Sequence, residues 1–350
     1  MRVLMMPDYR PDNPYQELLA DALADQGVEV VFPEGYRRGL PFTRASYEAQ
    51  ADVLHLHWLG VYFKGHTLAK KVAYALKVVI DLFLLRVSGC RLVWTVHNVV
   101  AHDTRCPKLE MWLRRLIADL ADGLIVHNGE TREKVAELYQ VPTGRVSVVE
   151  HGHYRDVYPT TVSKNEARNA LGLGGNKERV FLHLGMLRPY KGVEDLLDVW
   201  PAHSHTQPDD HLIIAGKPLS DEYGNTLKNI AQPLRNVSLQ IGFVEGEKIP
   251  LYYGAADIVV LPYRRVLTSG SAMLALTFGV PVIAPRIGEI PDTFRNADEL
   301  LYRQGEGGLQ AAMKKASTAD LKSLAERTRR LGDERGWTEI AEKTKQVYYN

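Results

Sequence analysis

The feature that most restricts how this chain can fold is an alternation of short aliphatic and β-branched runs with longer stretches of helical periodicity. Strand, helix, strand is the repeating unit of a parallel sheet, because parallel neighbours need a crossover and that crossover is ordinarily a helix. A first series of expected strands runs Val3–Met6, Val28–Phe32, Val53–Leu56, Arg91–Val96, Gly123–His127 and Val146–Glu150, with helical patterns such as Tyr15–Asp25 and Leu109–Ala121 between them. A second series runs Arg179–Leu184, His211–Ala215, Ser238–Ile241, Ile258–Leu261 and Pro281–Ala284. A chain of 350 residues exceeds what one core ordinarily holds. The expected fold is therefore α/β, with two Rossmann-like, doubly wound parallel-sheet domains. Between 154 and 177, Pro159, Gly172, Gly174 and Gly175 stand among polar residues and mark the connection, with a short helix over Glu166–Leu171. The expected domains are 1–155 and 156–335. Residues 336–350 form a closing helix that packs back on the first domain, with Ile340, Ala341, Val347 and Tyr348 at helical spacing.

Composition narrows the class. Hydrophobic residues at 45% and charged residues at 24% are globular values, which excludes a disordered or fibrous chain. A formal net charge of +1 lacks the basic excess of a nucleic-acid binder. Cys90 and Cys106 have neither metal-ligand spacing nor the numbers for a disulfide framework, so they read as thiols in a reducing cytosol. The chain enters a strand at once, without the apolar leader of a secreted protein. Its most apolar stretch, inside Leu68 to Val87, is interrupted by Lys70, Lys71, Lys77, Asp81 and Arg86, too much charge for a membrane span. The expected location is cytoplasmic.

Two loops carry the chemistry. Gly185-Met-Leu-Arg188-Pro-Tyr-Lys191-Gly192 follows a strand and precedes the helical pattern Val193 to Trp200, so two cations stand at a strand-to-helix turn where a diphosphate meets free N–H groups and the helix dipole. Arg188 can fork onto phosphate oxygens while Lys191 acts as a point charge. Thr268-Ser269-Gly270-Ser271 stands ahead of the apolar helix Ala272–Phe278, where small residues let a phosphate approach the backbone. A solvated basic loop and a plain helix cap are the bland readings of the same residues. Both loops fall at the C-terminal ends of parallel strands, where open α/β sheets bind ligands.

These segments, taken with Gly242-Phe243-Val244, Tyr252-Tyr253-Gly254-Ala-Ala-Asp257 and Gly279-Val-Pro-Val-Ile-Ala284, resemble in order the donor domain of the large retaining GT-B glycosyltransferase family. The resemblance implies that Gly185, Arg188 and Lys191 hold the donor diphosphate. It sets Phe243 and Val244 against the nucleobase, and wraps Thr268, Ser269, Gly270 and Ser271 around phosphate and sugar. The family usually carries two glutamates in the loop and helix before the Gly-Val-Pro-Val strand; Val266 and Leu274 stand at those places here. In the first half, Trp94-Thr95-Val96-His97-Asn98 is similar to the family's Thr-x-His-Asn strand end, which implies that His97 faces the interdomain cleft and the transferred sugar. A histidine at a sheet edge can also donate to a hydroxyl by itself. His102 and Asp103 follow closely. The pairs His55/His57 and His151/His153 read as polar cleft residues rather than metal ligands, since no third ligand accompanies them. Asn13 reads as a cap of the first helix.

The resemblance thus implies a hexosyl-type transferase that moves sugar from a nucleoside diphosphate sugar to a hydroxyl acceptor, with retention. The acceptor is expected to be a lipid-linked glycan or polysaccharide precursor. His97, Arg188 and Lys191 are the expected catalytic residues. No metal and no cofactor beyond the donor substrate is expected: Arg188 and Lys191 would do the work that a divalent metal does in other folds, and no Asp-x-Asp motif contradicts this. An inverting enzyme using His97 or Asp103 as base, a sugar-nucleotide epimerase and an inactive binding subunit are the alternatives. Residues 62–91 are locally basic and amphipathic: Leu68, Val72, Leu76, Val79 and Phe83 on one face, Lys70, Tyr74, Lys77 and Asp81 on another, and Tyr62 and Phe63 ahead of them as anchors. That segment is expected to meet an anionic membrane peripherally, at the inner face of the cell membrane.

Overall fold

The computed structural model of the chain describes residues 1–11, 13–35, 39–62, 67–99, 106–158, 162–173 and 179–350. It divides into two compact units, one of residues 1–152 with 335–350 and one of residues 153–334.

The first unit is built on six parallel strands, β1 (Arg2–Met6), β2 (Glu29–Val31), β3 (Val53–Leu56), β4 (Arg91–Thr95), β5 (Gly123–Val126) and β6 (Val146–Val148), in the order β2-β1-β3-β4-β5-β6. Every residue of β3 and β5 is buried, as expected of a parallel sheet covered on both faces. The chain switches sides of β1 between β2 and β3, so the C-terminal ends of β1 and β3 flank a topological switch point, the usual ligand position in such sheets. The closing helix, Trp337–Tyr349, lies against the helix Tyr15–Ala24. Its buried Tyr348 hydroxyl pairs with His55 Nδ1 at 2.7 Å. Asn13 does not cap that first helix in the expected way: the cap position is Pro14, and the Asn13 side chain accepts the Tyr15 N–H at 3.0 Å.

The helix Leu68–Val87 turns the stripe of Val72, Leu76 and Phe83 outward, as a membrane-facing surface requires, but it buries Asp81, which was expected on the polar face. Asp81 is fully buried and accepts the N–H groups of Phe42 and Thr43 at 2.8 and 2.9 Å, while Ala75, Val78, Leu82 and Leu85 face inward with it. Those two bonds compensate a buried carboxylate that helical periodicity alone would put in water. Val72, Leu76, Ile80, Phe83, Leu84 and Val87 are exposed, Val87 by 70%. Tyr62, expected as a membrane anchor, is buried against Phe42 with ring centroids 4.6 Å apart. Phe63 and Lys64 lie outside the described residues, as do His102 and Asp103.

The second unit carries β7 (Val180–Leu184), β8 (His211–Gly216), β9 (Val237–Ile241), β10 (Ile258–Val260), β11 (Val282–Pro285) and β12 (Leu301–Tyr302), all parallel, in the order β12-β11-β10-β7-β8-β9. The two-residue β12 was not among the expected strands. Here the switch point lies between β7 and β10, the strands that lead into the two loops singled out above. The helix after β7 runs Val193–Thr206, past Trp200 and through Pro201, and its buried Leu196, Leu197 and Trp200 hold it to the sheet despite the N–H that Pro201 lacks.

Candidate functional site

At the second unit's switch point, β7 leads into Gly185, whose φ of 144° lets the chain turn close beneath the neighbouring loop. A Cβ there would lie 2.9 Å from Ser271 Oγ and 3.2 Å from Lys191 Nζ, so Gly185, Lys191 and Ser271 are mutually adjacent. The Arg264 N–H donates to the Tyr190 carbonyl at 2.8 Å, which ties the basic loop to the exit of β10. Burial first, and then the charge of Arg188, hold the Lys191 ammonium below its ordinary pKa. Two cations close enough to depress one of them, on a half-buried loop, form an arrangement that an anion would stabilise. The Lys191 ammonium also lies 5.4 Å from the centroid of the buried Tyr263 ring.

The helix Gly270–Phe278 begins beside these cations. Ser269 caps it by accepting the Ala272 N–H at 3.2 Å, and the Ser269 hydroxyl also pairs with Tyr263 at 2.8 Å. The Ser271 hydroxyl donates to the Leu184 carbonyl at 2.9 Å. The hydroxyls of Ser269 and Ser271 are thus engaged within the protein. The first two N–H groups of the helix, those of Gly270 and Ser271, have no acceptor among the described residues. The groups of this loop left open among the described residues are therefore backbone donors, backed by the positive end of the helix dipole. Thr268 is half-buried beside them. Val266 and Leu274 are half-buried apolar side chains, and the nearby carboxylate is that of Glu289, which accepts the Ser269 N–H at 2.5 Å. Beyond β9, Phe243 is 64% exposed and Val244 half-buried, so Phe243 presents an open ring face.

The first unit's edge is chemically different. His57, His97 and His127, just past β3, β4 and β5, are buried and joined ring to ring: His57 Nδ1 to His97 Nε2 at 3.2 Å, His97 Nδ1 to His127 Nε2 at 3.4 Å. The far end is fixed by Val149, whose carbonyl accepts from His127 Nδ1 at 2.8 Å. A carbonyl only accepts, so His127 carries its proton on Nδ1 and His97 donates from Nδ1 in turn. His57 likewise donates from Nδ1, which leaves a lone pair on His57 Nε2, a buried atom with no partner among the described residues. Burial keeps all three rings neutral, pushing His127 down to about 4 and His57 and His97 well below the usual histidine range. Trp58 stacks on His97 at 4.2 Å with the planes 10° apart. The expected role of His97 assumed a ring nitrogen open to the sugar; in the structure both are bonded to other histidines. His55, beside His57 at 4.2 Å, bonds Tyr348 and Thr95, and His151 bonds the Gly152 carbonyl. Among the described residues no group of three or more His, Cys, Asp or Glu is placed to hold a metal ion.

Residues 178–329 match the family described as Glycosyl transferases group 1. A GDP-mannose:glycolipid 4-beta-D-mannosyltransferase of Xanthomonas campestris pv. campestris is 32% identical over 278 residues, 78% of this chain and 70% of that relative. The chain belongs to the group 1 glycosyltransferase family. Its fold is that of the family's GT-B members. Sucrose-phosphate synthase from Thermosynechococcus elongatus superposes with a TM-score of 0.75 over 99% of this chain and 98% of its own, at 17% identity. An Anabaena protein, HepE, in complex with UDP and glucose gives 0.71 over 100% and 99%, at 15% identity.

Sequence reasoning named the two loops and read His57 as a polar cleft residue, but missed three candidate site residues: His127, Tyr263 and Glu289. His57 was visible as one of an alternating histidine pair, and Glu289 as a charge just past the Gly-Val-Pro-Val strand. Nothing in the sequence linked either to its partner, because those contacts cross between strands and loops.

Proposed function

We propose that this glycosyltransferase moves a sugar from a nucleoside diphosphate sugar to a hydroxyl of a lipid-borne glycan, the second unit holding the donor and the first serving the acceptor. The observation that carries this reading is that Lys191, within the field of Arg188, meets the start of the helix Gly270–Phe278 at the β7/β10 switch point, where two N–H groups have no acceptor among the described residues. A relative that acts on a glycolipid by name supports the acceptor class. Fixed cations and N–H groups stabilise the charge that grows on the diphosphate as the glycosidic bond breaks, without reorganising, and they do so without recourse to a metal. Phe243 offers its exposed ring to the nucleobase.

For the stereochemical course we take inversion over the retention that the resemblance implies. The relative's name specifies a β-mannosyl linkage, which an α-linked donor yields only by inversion, and Val266 and Leu274 replace the glutamates of the retaining pattern. The acceptor oxygen attacks the anomeric carbon while the bond to the diphosphate oxygen breaks, its electron pair leaving with the diphosphate. The acceptor's proton passes to the unpartnered lone pair of His57 Nε2, which is buried in this structure. The resulting charge can shift through His97 to His127 by two proton transfers along the existing hydrogen bonds. His97 then works as the middle link. Peripheral contact with an anionic membrane is supported by the outward apolar stripe Val72, Leu76, Ile80, Phe83 and Val87, flanked by Lys70 and Lys77. Among the described residues no helix is long and apolar enough to cross a membrane.

The test is to incubate the protein with GDP-mannose or UDP-glucose and a lipid-linked glycan extract, and to read the anomeric configuration of the product by NMR. A β-linked product supports the reading. An α-linked product restores retention, and donor turnover without transfer points to the epimerase.

A further inference from the structure

Glu289 sits where a negative charge is least expected. It follows β11, is 3% exposed, and accepts the Ser269 N–H at 2.5 Å, at the start of the helix whose next two N–H groups are without acceptors. A bond this short to a backbone donor favours the ionised carboxylate. The placement is built into the backbone. The Glu289 N–H donates to the Leu267 carbonyl at 3.0 Å, and the Thr293 N–H donates to the Glu289 carbonyl at 2.8 Å. Gly288, at φ 57°, lies so close to this loop that a Cβ would be 2.5 Å from the Val266 carbonyl oxygen. The turn carrying Glu289 and the loop 266–269 therefore form one body.

We propose that Glu289 is an internal counter-anion of the donor site, a positioning residue that fixes Ser269 while weakening the hold of the site on the spent nucleoside diphosphate. The proposal rests on the donor reading above. Two cations, two open N–H groups and a helix dipole would by themselves bind a nucleoside diphosphate tightly and release it slowly. A carboxylate bonded to the adjacent N–H opposes every negative charge placed there. It opposes the product more than the donor, because breaking the bond to the sugar leaves the terminal phosphate with an additional ionisable oxygen. The same side chain thus braces the loop through its hydrogen bond and favours product release through its charge.

The two roles separate in Glu289→Gln, whose amide oxygen still accepts the Ser269 N–H but carries no charge. By calorimetric titration this variant is expected to bind UDP or GDP about threefold to tenfold more tightly than the wild type, the size of one like charge removed across a few ångströms of partly screened protein. Its affinity for the intact nucleotide sugar should rise less, and inhibition by the nucleoside diphosphate should deepen by a similar factor. Unchanged or weaker binding of the diphosphate by Glu289→Gln overturns the proposal. A second measurement needs no variant to fold. The wild type is expected to bind the nucleoside diphosphate no more tightly than its sugar ester, and a preference for the free diphosphate above about tenfold would count against a counter-anion. If the wild type binds neither, the donor reading itself fails rather than this one.

Discussion

Both units are six-stranded parallel sheets with a switch point, yet their C-terminal edges are finished in opposite ways. Beyond β3, β4 and β5 the first unit places neutral imidazoles that satisfy one another, with a single lone pair left over at His57. Beyond β7 and β10 the second unit places two cations and two N–H groups that lack acceptors among the described residues. The difference shows that shared topology fixes where a ligand can bind, while the residues at strand ends decide what charge it carries. An edge of unsatisfied donors suits a diphosphate; an edge of neutral rings suits an uncharged hydroxyl and the proton it gives up.

Acid should break the comparison most strongly, because only the first edge depends on several neutral histidines. His55 and His151 are pushed down to about 3 and His127 to about 4 from the ordinary histidine value of 6.5, all by burial first. A depressed folded value means that the unfolded chain binds more protons below pH 6.5. Stability is therefore intact above that pH and is lost as pH falls from it toward about 4. At pH 5 each such group costs on the order of 1–2 kcal/mol. On the second unit's sheet, His183 is likewise pushed down to about 4 by burial first. Thermal melts at pH 7.5 and 5, followed by hydrogen exchange, should show the first unit opening first; simultaneous opening would remove the contrast.

The next largest effect is on the donor side. Lys191→Ala and Arg188→Ala should each lower kcat/KM by about 2–4 kcal/mol in transition-state stabilisation, with folding intact. Equal kinetics in variant and wild type would mean that this edge is not the diphosphate site. On the acceptor side, His127→Phe removes the ring anchored on Val149 and frees the tautomers of His97 and His57. It should cut kcat about tenfold to a hundredfold while leaving nucleotide affinity alone, and a raised donor KM with unchanged kcat would refute the relay.

How much of this was legible in the sequence follows from which contacts are local. The strands, the basic loop and the Ser269 cap lie within a few residues of the signals that announce them, so alternating apolar runs and Gly-flanked turns sufficed. The relay was not legible, since His57, His97 and His127 follow three different strands and meet only through sheet order. The place of Asp81 on the helix Leu68–Val87 was misread for a related reason. Periodicity finds an apolar stripe but not which stripe faces the core, and Asp81 goes inward because two backbone donors from another segment meet it. That outward stripe yields a smaller prediction. Ile80→Asp with Phe83→Asp should release the protein from anionic liposomes by several-fold, a loss of about 1–2 kcal/mol, without changing activity on a soluble acceptor. Unaltered co-sedimentation would leave the stripe without a membrane role. Smallest of all, Phe243→Ala should raise the donor KM only a few-fold, about 0.5–1 kcal/mol, because an exposed ring contributes stacking and little else.

The claim that the second unit's edge holds the donor is tested most directly by hydrogen exchange with and without UDP or GDP. Bound nucleotide should slow exchange at residues 185–192 and at the N–H groups of Gly270 and Ser271, and leave residues 55–57, 95–97 and 127 unchanged. Protection confined to the histidine edge, or none at 270 and 271 when the nucleotide is shown to bind, would contradict the account.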